Sequence, residues 1–204
     1  MEPAGRDDAD GRHLRRQRNR EAVVDALLTL YGEGNLDPSS AEIAQRAGSS
    51  PRSLFRYFDD VDDLCGEAIR RHEERIRRHV TVGAGADDPL SGRVAALVAS
   101  RVALYEAAGP VGQVARMRAP FQPLIAAELA QGRTFLRNQV RRLFARELAA
   151  HESSRAELLL SALDVATSYE SYWLMRQAQG HGRVRAGQVL ESMVHALLAP
   201  AQVH

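Results

Sequence analysis

Residues 41–58, AEIAQRAGSSPRSLFRYF, constrain this chain more than any other stretch. Ile43, Ala44 and Ala47 recur at a spacing that lines one face of a helix. Gly48 ends that helix, because glycine takes a left-handed C-terminal position without a Cβ clash. Ser50 can then cap a second helix, and Pro51 can open it where its missing N–H costs nothing. Leu54 and Phe58, four apart, face inward. Arg52, Ser53, Arg56 and Tyr57 are left to water: two guanidiniums, a hydroxyl and a phenol, with no acid among them. Helix, tight turn, helix with this outward chemistry is what insertion into a major groove requires.

The formal net charge is only +1, and all the positive charge is arginine. Affinity for a polyanion therefore has to come from local placement. Residues 11–20 supply Arg12, Arg15, Arg16, Arg18 and Arg20 without an acid, and the motif adds Arg46, Arg52 and Arg56. The basic arm is expected to reach phosphates or a minor groove. Residues 1–11, small, acidic and polar, are expected to be disordered. The single cysteine, Cys65, allows no internal disulfide and reads as a small buried hydrophobe in a reducing interior. No uninterrupted apolar run reaches the roughly 20 residues of a membrane span, and the N-terminus lacks a signal-peptide core, so a cytoplasmic location is expected.

The pattern along the chain is helical throughout, with no strand signal and no internal repeat. A first helix is expected over 21–31, with Val23, Val24, Leu27, Leu28 and Tyr31 as its apolar face. Ser39 and Glu42 have capping-box spacing. The acidic run 59–63 suits the start of a helix over 61–80, which carries Leu64, Ala68, Ile69 and Ile76 on one side. After a glycine-rich loop come helices over 91–108, 111–118, 123–150, 153–179 and 184–198. The expected division is 1–11 disordered, 12–60 a three-helix unit built on the motif, 61–80 a connecting helix, and 81–204 a second helical domain.

Catalytic chemistry finds no support. None of the histidines makes the Glu-x-x-His pair of a di-iron bundle, and the Glu191–His195 pair reads as structural. There is no nucleophile elbow, phosphate loop or dinucleotide fingerprint. No enzyme activity, cofactor or metal is expected. In the second domain Tyr105, Met117, Phe121, Phe135, Tyr169, Tyr172 and Trp173 supply apolar wall, and Arg101, Gln139 and Arg176 supply polar company. Apolar walls with a few convergent polar groups describe a small-molecule site, and an arginine there suits a carboxylate. The same arginines could instead pair with Glu106 or Glu170 and bind nothing. The last two helices carry more apolar surface than one monomer can easily bury; Leu163 and Val189 are expected on the exposed face.

From about Arg20 to Leu64 the chain resembles the TetR family of tetracycline-repressor-like transcription regulators. The resemblance is carried by Ser39-x-x-x-Ile43-Ala44-x-x-Ala47-Gly48, then Ser50-x-x-x-Leu54-Phe55-Arg56-Tyr57-Phe58, then Asp62-Asp63-Leu64. It implies an all-α fold: an N-terminal three-helix helix-turn-helix DNA-binding domain and a C-terminal helical ligand-binding and dimerisation domain. It implies a homodimer on a palindromic double-stranded operator, most simply a repressor released by a small-molecule effector, with no membrane partner. Phosphate contacts fall to the basic arm with Arg20, Ser39, Ser40, Tyr57 and the backbone of Phe55, and Ser50 is also counted among the DNA-binding residues. Base reading falls to Arg52, Ser53 and Arg56, and apolar contact to Ala41 or Pro51. Three positions depart from the family's pattern. Ser49 follows Gly48 where an apolar residue is usual, Val61 stands where a lysine often holds a phosphate, and Ala41 stands where a base-reading side chain sometimes sits. Two other readings are a regulator with no small ligand and a helical small-molecule-binding protein or enzyme with a vestigial DNA-binding domain.

Overall fold

The computed structural model describes residues 6–199, apart from the side chains of residues 6–10 and 12. The order is α1 (Arg6–Gly32), α2 (Ser40–Arg46), α3 (Pro51–Leu54), α4 (Val61–Ile76), a 3-10 turn (Arg77–Val80), α5 (Leu90–Arg118), α6 (Pro123–Leu143), α7 (Ala145–Ala149), α8 (Ser153–Ala166), α9 (Tyr169–Trp173), a π turn (Leu174–Ala178) and α10 (Arg183–Leu198). No strand occurs among the described residues.

The chain forms two compact units. The first holds the chain up to Arg75 together with Gly109–Ala127; the second holds Ile76–Ala108 and the chain from Glu128. This differs from the expected division at 60 and 80. Most of α4 belongs to the first unit because Leu64, Cys65, Ala68 and Ile69 are buried. Arg71 and Arg75 also pair with Asp25 of α1 at 3.5 and 3.0 Å. The chain then returns to the first unit at Gly109, whose φ of +47° breaks α5 into arms 90–108 and 110–118. Arg118, at the end of the second arm, pairs with Asp62 at 2.8 Å and Asp37 at 3.4 Å.

The expectation of disorder over 1–11 also meets a different outcome. Residues 1–5 lie outside the described residues, but α1 is already helical from Arg6. Leu14, Arg15, Arg16, Gln17 and Arg18 are all good helix formers, and Gln17 bonds Glu21 one turn on at 3.1 Å. The basic arm is thus an extension of α1.

In the first unit Val23, Val24, Leu27, Leu30 and Tyr31 of α1 are buried with Ile43, Ala44, Leu54 and Phe58 of the motif. Cys65 is buried beside Tyr31, with the phenol oxygen and Sγ 3.1 Å apart. Burial pushes the Cys65 thiol up, against the Tyr31 hydrogen bond, which lowers it. Burial likewise raises the Tyr31 phenol. Both stay protonated and neutral near pH 7, so the pair is packing.

In the second unit one core joins Val94, Leu97 and Tyr105 of α5, Val140 of α6, Leu160 and Leu163 of α8, and Leu190 and Val194 of α10. Two helices expected to be continuous are broken here, each by a side chain from α5. Arg93 donates to the Leu143 carbonyl at 2.7 Å, where α6 ends, and α7 follows the buried Phe144. Tyr105 donates to the Thr167 carbonyl at 2.7 Å, while the Thr167 hydroxyl donates to Leu163 O at 2.8 Å. Back-bonding of this kind weakens a helix, and Ser168 caps the new helix α9 by accepting from Ser171 N–H. Leu90–Arg118 is long and apolar enough, by length and composition, to cross a membrane, although it holds no uninterrupted apolar run of that length. Its apolar stretch is 56% buried, and Gly109 breaks it.

Candidate functional site

The motif forms as its local chemistry dictates. Ser39 and Glu42 make a complete capping box: Ser39 Oγ accepts from Glu42 N–H, and Ser39 N–H donates to Glu42 Oε2 at 2.8 Å. Ser39 Oγ also donates to that carboxylate at 2.6 Å. Gly48 has φ +64°, its N–H reaches Gln45 O, and Ser49 N–H reaches Ala44 O at 2.9 Å. That is the two-bond pattern of a glycine-terminated helix, in which Ser49 occupies the place that usually makes an apolar contact. The Ser49 hydroxyl is buried there without a hydrogen-bond partner. Ser50 has N-cap backbone geometry but makes no side-chain bond to the backbone; its hydroxyl lies 2.9 Å from that of Ser53.

α3 keeps only four regular residues, Pro51–Leu54, and the chain turns through Phe55, Arg56 and Tyr57 before Phe58 is buried. Leu54 and Phe58 anchor this turn, while Pro51, Arg52, Phe55 and Arg56 are exposed and Ser53 and Tyr57 partly so. Ala41 is exposed on α2 beside the partly buried Ser40. Sequence reading missed how α1 holds the turn. Asn19 Nδ2 donates to Tyr57 Oη at 3.2 Å, and Arg16 Nη2 donates to the Arg56 carbonyl at 3.3 Å. The signal was present once α1 is known to extend: Arg16, Asn19 and Arg20 lie three and four apart and share a helix face.

Two expected cationic groups are already engaged. Arg20 pairs with Glu67 at 3.2 Å and lies 4.8 Å from the centre of the Phe58 ring. Its guanidinium braces α1 against α4. Arg46 is held by Glu33, so the positive charge of the motif rests on Arg52 and Arg56.

The second-unit candidates fall into separate groups. Tyr105, Tyr169, Tyr172 and Trp173 come together: Tyr105 meets Tyr169 edge-on at 5.6 Å and Tyr172 at 5.7 Å, and Tyr169 stacks on Trp173 at 5.6 Å. Glu106 accepts from Tyr172 Oη at 2.6 Å and from Arg176 Nε at 2.9 Å, so Arg176 has the pairing weighed against ligand binding. Burial opposes the charge on Glu106, but those two donors hold its carboxyl below the usual range. Arg101 is buried, donating to Gln139 Oε1 at 3.0 Å and Leu136 O at 3.1 Å. Met117 and Phe121 do not join the group: both lie in Gly109–Ala127 of the first unit and are 54% and 84% exposed. Phe135 is 46% exposed. Helical spacing could not foretell the return of the chain at Gly109 that separates them.

On the outside of the second unit, Ser161, Ala162, Val165 and Ala166 of α8 and Met193, Ala196 and Leu197 of α10 line an apolar groove. Leu163 points the other way, fully buried in its own core, and Val189 packs against that core. The exposed large apolar residues of α8 and α10 are Leu158, Val165, Val184 and Met193, which corrects the expectation for Leu163 and Val189.

No family model matches the chain. It is 30% identical over 82 residues to the HTH-type transcriptional regulator BetI of Brucella anthropi, covering 40% of this chain and 42% of that protein. It is 32% identical over 82 residues to BetI of Brucella abortus, covering 40% and 41%. The chain thus spans about two fifths of the length of these curated relatives. A transcriptional regulator of Rhodococcus sp. Rha1 superposes with a TM-score of 0.63 at 17% identity, over 90% of this chain and 95% of that one. A protein of Pseudomonas aeruginosa PAO1, provisionally named a transcriptional regulator, superposes with a TM-score of 0.63 at 20% identity, over 91% and 92%. The two solved structures share this fold over nine tenths of the chain, and the likeness to BetI is confined to 82 residues; both agree with the resemblance to the TetR family.

Proposed function

We propose that this TetR-like chain is a homodimeric, sequence-specific DNA-binding transcriptional regulator, a repressor released from a palindromic operator by a small-molecule effector held in its second unit. The observation that carries the reading is the turn Pro51–Tyr57. It is pinned from inside by Leu54 and Phe58 and presents Arg52, Ser53 and Arg56 outward without an acid among them. Arginine forks match guanine edges in a major groove, and the hydroxyl of Ser53 can bond either a base or a phosphate. Phosphates fall to Ser40, Tyr57, the Phe55 backbone and the arginines of α1. One such turn reads only a few base pairs, and a two-fold dimer doubles the site. The apolar groove on α8 and α10 supports that dimer, because a monomer gains nothing by leaving such a face in water.

The reading assigns no catalytic role and a cytoplasmic location, as befits a protein acting on DNA. It is tested by selecting bound duplexes from a random library. Inverted repeats with half-sites one helical turn, about 34–36 Å, or a multiple of that apart are expected. Recovery of no enriched sequence would remove it.

A further inference from the structure

Arg101 is 1% exposed, and among the described residues its guanidinium donates to neutral acceptors, the Gln139 carboxamide and the Leu136 carbonyl. Asp164, the acid whose field reaches it, is itself paired with Arg137 at 3.5 Å. A guanidinium does not shed its proton in a protein. Among the described residues, the core of the second unit therefore keeps a cation with no acid in hydrogen-bond contact, an arrangement that opposes folding. Arg93 in the same unit shows the alternative, with a buried guanidinium held by Glu147.

Gln139 links this cation to the chain that follows α4. Its Oε1 accepts from Arg101, while its Nε2 donates to the Val80 carbonyl at 2.6 Å. Ser100, next to Arg101 on α5, donates to the His79 carbonyl at 2.9 Å. Two adjacent α5 residues thus hold successive carbonyls of the 3-10 turn, Ser100 directly and Arg101 through Gln139. That turn, Arg77–Val80, continues α4 without a gap.

We propose that Arg101 is the seat of a small organic carboxylate, and that the ligand acts by displacing the Gln139 carboxamide from the guanidinium. This rests on the reading of the chain as an effector-controlled regulator and names the effector's class. A carboxylate is the stronger partner, since charge-assisted hydrogen bonds are roughly twice as strong as neutral ones and a guanidinium can grip it with two. Once displaced, Gln139 no longer positions its donor on Val80, and the end of the 3-10 turn loses one of its two clasps. Tyr105, one turn along α5, packs on Tyr169 and Tyr172, so the apolar part of such a ligand would meet this aromatic group.

The test is calorimetry on the full chain without DNA, with acetate, benzoate and octanoate and their three amides. At least one carboxylate is expected to bind, its amide about tenfold or more weaker, and Arg101→Met to lose the preference. Gln139→Ala keeps the cation and removes its competitor, so it should tighten carboxylate binding, an outcome that a purely structural clamp does not give. Absence of carboxylate binding, equal affinity for the amides, or weaker binding by Gln139→Ala would overturn the proposal. Operator binding by the same preparations is read separately. Its loss defeats the regulatory reading and leaves a carboxylate seat at Arg101 intact, and its presence without carboxylate binding defeats the seat alone.

Discussion

Arg46 at the end of α2 donates two parallel hydrogen bonds to Glu33 just past α1, at 2.7 and 2.8 Å. The Glu33 carboxyl is held below its usual range by this pairing. The arginine ties the motif to α1 and has little left to offer DNA. Arg46→Ala should therefore leave the salt slope of operator binding unchanged. A fall of about 0.9 in the log–log slope, the signature of one lost phosphate contact, would show that Arg46 leaves Glu33 on the complex.

Arg56 is exposed on the turn, while its own carbonyl is held by Arg16. If its guanidinium reads a base edge, Arg56→Ala should weaken operator binding by about 1–3 kcal/mol and flatten preference at one position per half-site. Competition between operator variants measures this. A uniform loss over all sequences would make Arg56 a phosphate contact.

What the sequence made legible was local. The turn at Gly48, the capping box at Ser39 and the break at Gly109 each follow from residues within a few positions of one another. What it hid was made by distant partners. The break at Thr167 is drawn by Tyr105, 62 positions earlier, and the break at Phe144 by Arg93, 50 positions before the carbonyl it takes. The neutralisation of Arg46 likewise depends on Glu33, 13 positions earlier in the turn after α1. Met117 and Phe121 looked like cavity wall because aromatic and apolar spacing says nothing about which unit a helix arm joins.

Ser49 leaves a buried hydroxyl without a partner at the heart of the turn. Removing such a group recovers its desolvation penalty, about 1–3 kcal/mol, less the small packing lost with one oxygen. Ser49→Ala should raise Tm without altering operator preference. A lower Tm would show that the hydroxyl is bonded in solution.

The Arg93–Glu147 pair gives the second unit a pH dependence with a definite sign. The Arg93 hydrogen bonds hold the Glu147 carboxyl below its usual range. A folded value below the unfolded one, about 4.3, means that the pair's stabilisation is present above that pH. It is lost as pH falls through the folded value. Glu147→Gln leaves the buried Arg93 charge uncompensated and should destabilise by about 2–4 kcal/mol at pH 7. Denaturant unfolding should show that gap shrinking on acidification to about pH 3; an equal gap at both pH values would contradict the pairing.

The proposed homodimer places its interface on the apolar groove of α8 and α10. Val165 is 66% exposed and Met193 37%, so an arginine at either place need not disturb the core behind it. Val165→Arg and Met193→Arg should each sediment as folded monomers with native helicity, and each should lose operator affinity. Folded dimers surviving both changes would move the interface elsewhere.

Binding of the selected palindrome and of a scrambled duplex, measured by fluorescence anisotropy at one physiological salt concentration, tests the central claim most directly. The turn carrying Arg52, Ser53 and Arg56 predicts that the protein prefers the palindrome by about a thousandfold or more, the discrimination typical of specific DNA-binding proteins. Equal affinity for the two duplexes would mean that these arginines meet only phosphate, and that the protein does not read sequence.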